Sequence, residues 1–263
     1  MAEPTIHETA VVDPTAKVGE GTQVGPYCVV GADVELGPDC RLHNHVSLSG
    51  HAKFGARNEF FPHCAIGGKS QDLKYDGEPT YLEVGDDNVF REFVTVNRGT
   101  SADGKTAIGN ANLFLAYSHV AHDCTISDHT IFSNNGTIAG HVDVGDHVVL
   151  GGLSAVHQFC RVGAHAMTGG CAKIVQDIPP FMIADGNPAK LRGVNIVGLQ
   201  RRGFSDAEVR ALKDAFRWLF RNTAGTMSER LKTLRKRNEE EGGNARVIEL
   251  IDFIEASERG IVQ

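Results

Sequence analysis

The apolar positions of this chain repeat with a period of six. Bulky residues stand at every multiple of six from Ile6 to Ile66, again at Val84, Phe90 and Val96, and from Ile108 to Ile174, where Thr168 alone is polar. Twenty-six positions share that frame. A helical period of 3.6 would scatter them round its surface, and a strand period of 2 would not single out every third inward position. A coil with three short flat sides accounts for the spacing, because one bulky residue per side then points to a common axis. The fourth residue after each bulky one is usually small or β-branched, as at Ala10, Thr22, Val46, Ser118 and Ala166, and supplies a second, smaller inward position. Glycine often follows the bulky residue, as at Gly19, Gly37 and Gly151, which suits a corner needing unusual φ/ψ or close backbone approach. The pattern predicts a parallel β-helix of hexapeptide repeats, with residues eighteen apart lying above one another at about the 4.8 Å strand spacing.

Two stretches, 68–83 and 98–106, interrupt the hexads without losing the frame. Loops expelled from a regular prism have no packing duty in its coils and are candidates for substrate contact. The hexads stop near Ile178-Pro179-Pro180, and a different pattern follows. Ser205 and Glu208 have the spacing of a capping box, and Val209, Leu212, Phe216, Leu219 and Phe220 keep helical spacing to Arg221. A second helix is expected over Ser228–Glu241, and a third from Asn244 to a point before Gly260. The chain therefore reads as a mainly β protein, with a β-helix over 1–190 and a small α-helical C-terminal domain over 191–263. That domain is too small for an independent core and is expected to lean on a neighbouring surface.

Composition narrows the classes. Thirty glycines and 7% aromatic residues suit corners and a narrow prism. There is no apolar run of the roughly eighteen residues that a membrane span needs. Residues 1–7 contain no basic segment followed by an apolar one, so a cytoplasmic protein without a secretory signal is expected. Cys28, Cys40, Cys64, Cys124 and Cys160 fall on the small inward position, no C-x-x-C pair occurs, and all read as buried free thiols rather than ligands or bridges. The net charge of -7 conceals an asymmetry: residues 1–189 carry a net -11 and residues 190–263 a net +4. The basic end suits an acidic protein partner, whereas nothing resembles the basic stripe with interleaved aromatics of a nucleic-acid surface.

Histidines gather in the later coils. Adding eighteen to His122 gives Gly140 and then Gln158, so His122, His141 and His157 should lie within one residue of the same column on three successive coils. Asp123 follows His122 at a corner, where a carboxylate can orient an imidazole and stabilise its protonated form. A neutral imidazole with a pKa of about 6.5 suits general base work at cytosolic pH. Neither G-x-S-x-G nor a phosphate-binding G-x-x-x-x-G-K-[ST] occurs, so base-assisted attack by a substrate hydroxyl is the simpler chemistry.

Several motifs occur together and in order: Gln71-Asp72-Leu73-Lys74-Tyr75, His119-Val120-Ala121-His122-Asp123-Cys124, His157-Gln158-Phe159, and Gly193-Val194-Asn195-Ile196 leading to Arg201-Arg202-Gly203-Phe204. With the hexads, they resemble the UDP-N-acetylglucosamine O-acyltransferases that begin lipid A synthesis. The resemblance implies a left-handed β-helix in a homotrimer, with active sites between adjacent prisms. It implies transfer of an (R)-3-hydroxyacyl chain from acyl carrier protein to the 3-hydroxyl of UDP-N-acetylglucosamine, without cofactor or metal, the phosphopantetheine thioester being the co-substrate. By the same resemblance His122 is the general base, Asp123 its polarising partner, and the Gly140 N–H the oxyanion donor. Gln71, Asp72, Lys74, His119, His141, Gln158, Asn195, Arg201 and Arg202 match positions around the sugar nucleotide or acyl chain. His157 and Arg161 match positions near the carrier protein, and Gly170 one that sets acyl length, glycine leaving room for about fourteen carbons.

Two residues depart from the family pattern. Asn97 stands where well-known members have His, and Val197 where they have Glu, which leaves open an acceptor bearing a 3-amine. Two further readings stay open: a zinc carbonic anhydrase of the same helix type, built from three imidazoles and a water, and a non-enzymatic docking module.

Overall fold

The computed structural model describes residues 3–222 and 224–263. The hexads wind into a three-sided prism of parallel strands, mostly two residues long. Its first face has eleven strands, from Thr5–Ile6 to Lys190–Val194; its second has nine, from Val11–Val12 to Lys173–Ile174; its third has eight, from Lys17–Val18 to Arg161–Val162. Eighteen-residue stacking is explicit in pairs such as Val11 with Val29, His119 with Thr137 and Asp143 with Arg161. The glycine after the bulky residue is required by close approach: a Cβ on Gly37 would strike the carbonyl of Gly55 in the next coil. The left-handed backbone conformation falls two residues later, on His129 (φ 58°), His141 (φ 57°) and Phe159 (φ 64°).

The two interruptions leave the prism at one corner. Residues 69–80 bridge Ala65–Gly68 of the second face and Tyr81–Val84 of the third, and 98–104 bridge Thr95–Asn97 and Lys105–Ile108 one coil later. Both excursions are shorter than the hexad pattern predicts, because the strands extend into their ends.

Inside, the first face stacks Phe60, Phe90 and Phe114 with ring centroids 5.1 and 4.9 Å apart, and Phe132 follows 4.8 Å beyond Phe114. All four are fully buried. Phe114→Ala is expected to destabilise the fold by about 3–5 kcal/mol, through lost burial and a cavity between two rigid rings, as read from denaturant midpoints. One run of polar inward residues is paired along the axis: Asn58 Oδ1 accepts from the Asn88 N–H and Nδ2, Asn88 Oδ1 from the Asn112 N–H, and Asn112 Oδ1 from Thr130. Thr168, the exception in the bulky column, accepts from the Gly151 N–H at 2.8 Å. The five inward cysteines are buried and free, and burial pushes the Cys64 and Cys124 thiols up to about 12.

The outer surfaces differ sharply. The third face carries Lys17, Glu35, Lys53 and Glu83 in register, a ladder of alternating charge. The first face instead aligns Val89, Leu113, Ile131, Val149, Met167 and Ile183. At the corner between the first and second faces, Tyr27, His45, His63, Phe93 and Tyr117 stack successively at 4.9 to 5.1 Å, with Tyr27 and Tyr117 more than half exposed.

A domain boundary after residue 190 is displaced by the structure: Lys190–Val194 pairs antiparallel with Met182–Asp185 and closes the first face. The helical part begins with α1 (Ile196–Arg201), which the sequence pattern did not predict, followed by α2 (Asp206–Phe216), α3 (Met227–Glu240) and α4 (Ala245–Glu255). The Ser205–Glu208 capping box is present, Asn244 caps α4, and a second box, Thr226 with Glu229, starts α3 slightly before the expected Ser228. Beyond α2 the chain continues through a wider helical turn over Arg217–Arg221. The helices lean on the last coils. Asp177, 1% exposed, accepts from the Arg161 N–H at 2.8 Å and from Ser257 Oγ at 2.7 Å, binding prism to C-terminus. No helix among the described residues is long and apolar enough to cross a membrane.

Candidate active site

The corner between the second and third faces brings the chemistry together. His122 and Asp123 turn the chain from strand His119–Val120 to strand Thr125–Ile126. With Asp123 in the left-handed region (φ 58°), its carboxylate Oδ2 comes to 2.8 Å from Nδ1 of its own neighbour His122. That contact leaves Nε2 as the free basic atom, 3.9 Å from Asp72 Oδ2 on the first expelled loop. His122 is 8% exposed, so it is shielded yet reachable. Its ring rests on Gly140, where any Cβ would overlap the imidazole. The Gly140 N–H has no hydrogen-bond acceptor among the described residues. One coil on, His141 Nε2 lies 3.7 Å from Asp123 Oδ2, its ring edge-on to His122 and stacked on Phe159 at 4.8 Å.

The neighbours complete the pocket. His119 projects from the second face with Nδ1 2.7 Å from Thr95 Oγ1, and burial together with the nearby His122 lowers its pKa. The second expelled loop reaches in as well: the Thr100 N–H donates to both Asp123 oxygens, at 3.3 and 3.1 Å. Sequence reading singled out neither Thr95 nor Thr100. Thr95 could have been found by adding twenty-four rather than eighteen across the second loop, since it pairs with His119. Gln71 and Lys74 lie exposed on the first loop and Gln158 is exposed one coil beyond Gly140. Asn97, the departure from the family pattern, is buried and donates its amide to the Lys69 carbonyl at 3.1 Å, holding that loop's root.

Other expected members lie elsewhere. His157 does not join His122 and His141. It stands one residue after bulky Val156, whereas His122 and His141 stand two and three residues after theirs, and its Nδ1 lies 3.4 Å from Arg259 Nη2. Among the described residues, the cluster with donor atoms close enough to share a cation is two imidazoles and one carboxylate, His122, Asp123 and His141, rather than the three imidazoles of the anhydrase reading. Arg161 lays its guanidinium over Phe253 at 4.4 Å and bonds the Ala256 carbonyl, so its head is engaged by the helical domain. Asn195 is 4% exposed; it caps α1 through the Gly198 N–H and donates to the His165 carbonyl at 3.0 Å. Arg201 ends α1 and is exposed, while Val197 is exposed on its first turn. Arg202 is partly buried, which lowers its pKa, and faces His147 and His165. Asn195, Arg201 and Arg202 thus gather at the corner between the third and first faces, away from His122 in the same chain.

That second corner has its own histidine column. His129, His147 and His165 stack at 4.9 and 4.8 Å. His165 is 9% exposed, lies edge-on to Phe204, and its Nδ1 has no partner among the described residues. Burial, with His147, Arg202 and Arg246 adding repulsion against a weaker pull from Asp146, pushes its imidazole down to about 4. The folded state therefore favours the neutral ring. Its contribution is intact above the unfolded value near 6.5 and is lost as pH falls from there towards 4, because the unfolded chain takes the proton first. The thermal midpoint should decline over that window, and His165→Phe should flatten the decline.

A family model described as UDP N-acetylglucosamine O-acyltransferase, domain 2, matches residues 177–262, and one for the bacterial transferase hexapeptide (six repeats) matches residues 15–50. An acyl-[acyl-carrier-protein]--UDP-N-acetylglucosamine O-acyltransferase of Akkermansia muciniphila is 52% identical over 257 residues, 98% of each chain. The chain belongs to the UDP-N-acetylglucosamine O-acyltransferase family. The Thermodesulfovibrio yellowstonii enzyme of the same name is 45% identical over 97% of this chain and 98% of its own. Among solved UDP-N-acetylglucosamine O-acyltransferases, that of Moraxella catarrhalis superposes with a TM-score of 0.93 at 42% identity, covering 98% of this chain and 99% of that one. An O-acyltransferase therefore carries the His122–Asp123 corner, and the prism ending in helices is the family's architecture.

Proposed function

We propose that the protein transfers an (R)-3-hydroxyacyl chain from the phosphopantetheine thioester of acyl carrier protein to the 3-hydroxyl of UDP-N-acetylglucosamine, the first step of lipid A synthesis, in the cytoplasm. The observation that carries the mechanism is the His122–Asp123 pair seated directly on Gly140. Nε2 of neutral His122 takes the proton of the sugar hydroxyl as its oxygen attacks the thioester carbonyl. Asp123 fixes the tautomer and stabilises the imidazolium so formed. The oxyanion of the tetrahedral intermediate accepts from the Gly140 N–H, a type of contact worth roughly 3 kcal/mol. Collapse expels the thiolate, which takes the proton back from His122. No cofactor enters this route.

The same reading calls for a homotrimer. Within one chain, Asp72, Lys74, His119, His141 and Gln158 border the base, while Asn195, Arg201 and Arg202 stand at another corner. A neighbouring copy would bring its arginines, suited to diphosphate, against the His122 corner. Surface chemistry supports that arrangement: the first face, apolar from Val89 onward, and the exposed aromatic corner suit burial between copies, and the alternating charges of the third face suit solvent. Gly170 supports a long acyl chain. Its φ is not left-handed and a Cβ there would meet only the Gly152 carbonyl, at 3.5 Å, so the backbone does not demand glycine. His157, with Arg259 beside it, is left to face the carrier protein, Arg161 serving as a brace for the helices behind it.

The test is acyl transfer by purified protein, with 3-hydroxyacyl carrier proteins of graded length and either UDP-N-acetylglucosamine or its 3-amino analogue. Ester formation on the 3-hydroxyl sustains the proposal. Product from the amine alone would reassign the acceptor, and no product from a folded trimer would overturn the function.

A further inference from the structure

The two expelled loops are joined to each other where they meet the catalytic corner. Ser70 and Thr100, 5% and 7% exposed, share a hydroxyl–hydroxyl hydrogen bond of 2.7 Å. Ser70 Oγ also accepts from the Asp72 N–H at 3.1 Å, and the Asp72 carboxylate closes a turn on the Lys74 N–H at 2.9 Å. Thr100 N–H, at the other end, holds the Asp123 carboxylate. An unbroken path therefore runs from the loop bearing Asp72 and Lys74, through Ser70 and Thr100, to Asp123 and the Nδ1 of His122. Around it, Arg98 anchors the loop roots, its backbone N–H donating to the Gly68 carbonyl at 2.9 Å and its guanidinium to that of Gly67 at 3.1 Å.

We propose that Ser70 and Thr100 are positioning residues that couple the sugar-nucleotide loop to the catalytic pair. The inference rests on the acyl-transfer reading above. The Thr100 N–H shares the charge of Asp123 and fixes its rotamer, so the carboxylate presents one oxygen to His122. The hydroxyl pair fixes where that N–H sits and where Asp72 stands relative to Nε2. When the hydroxyl link is cut, the second loop slackens, Asp123 keeps more of its charge for His122, and the imidazolium is favoured.

The test uses Ser70→Ala, Thr100→Val, the double variant and Thr100→Ser in the full-length protein, with transfer kinetics against pH and NMR titration of His122 in 13C-histidine-labelled samples. Ser70→Ala and Thr100→Val should each lower kcat/KM about tenfold, equivalent to one bond of roughly 1.4 kcal/mol. Both should act mainly through kcat, and Ser70→Ala, which also removes the acceptor of the Asp72 N–H, should in addition raise KM for the sugar nucleotide modestly. Both should move the His122 titration and the acidic limb of the rate profile to higher pH. The double variant should be little worse than the worse single one, because both remove the same bond, and Thr100→Ser should restore wild-type values. Additive losses, or an unmoved His122 titration in folded variants, would overturn the coupling. Because the NMR readout needs no turnover, a moved titration in a protein that transfers no acyl chain would sustain the coupling and remove only the assigned reaction.

Discussion

His122→Ala is expected to slow acyl transfer by about 10²–10⁴-fold, the usual worth of a general base, while the thermal midpoint changes little. The imidazole lies on the prism and not in it: its contacts are Asp123, Asp72, the ring of His141 and the face of Gly140, and none of the inward hydrophobic columns loses an atom. Steady-state kinetics with saturating acyl carrier protein and a melting curve decide the matter together. A variant that melts normally and retains wild-type turnover would remove His122 from the mechanism.

Gly140→Ala should be nearly as severe for a different reason. The added methyl would occupy the space of the His122 ring, and the ring must tilt off the Gly140 amide. Base and oxyanion donor are then misaligned at once, so a fall of at least about 100-fold is expected, in keeping with the loss of one oxyanion contact. The backbone at Gly140 is not left-handed, and the three atoms nearest the added methyl all belong to that ring, so the ring sets the main steric cost of alanine. Gly140→Ala combined with His122→Ala should therefore melt like wild type and be no slower than His122→Ala alone. A measurably slower double variant would show that the methyl harms the oxyanion site itself.

The prism was legible because one period governs it, and a frame of six leaves few alternatives. The stacking of His122 over Gly140 followed from adding eighteen. Where the increment changes, reading failed: Thr95 meets His119 across the second loop, and Ser70 meets Thr100 between two loops whose paths no period describes. His157 does fall within one residue of that column, as adding eighteen predicts, but a residue one place and a residue three places past the bulky position leave the corner in different directions. Asn195 shows a motif with two uses. Asn before Ile-Val-Gly is a good N-cap, and the structure employs it so, with the amide nitrogen turned to His165. The closing strand Lys190–Val194 was hidden because it lies beyond the hexads and pairs antiparallel.

Both loops exit at one corner, and the inward column resumes in phase after each, at Val84 and at Ile108. The fold consequently has a reading frame. Six residues inserted at a corner add one side's worth of chain or swell into a loop, and every later side chain keeps its direction. One residue inserted within a side turns the rest of the column inside out, as a frameshift does to codons, and would put phenylalanines in water and lysines on the axis. Variation in length among natural or engineered versions of this prism should thus arrive in hexads and at corners, and the His122 corner, which already hosts both excursions, is the natural port for grafting new specificity.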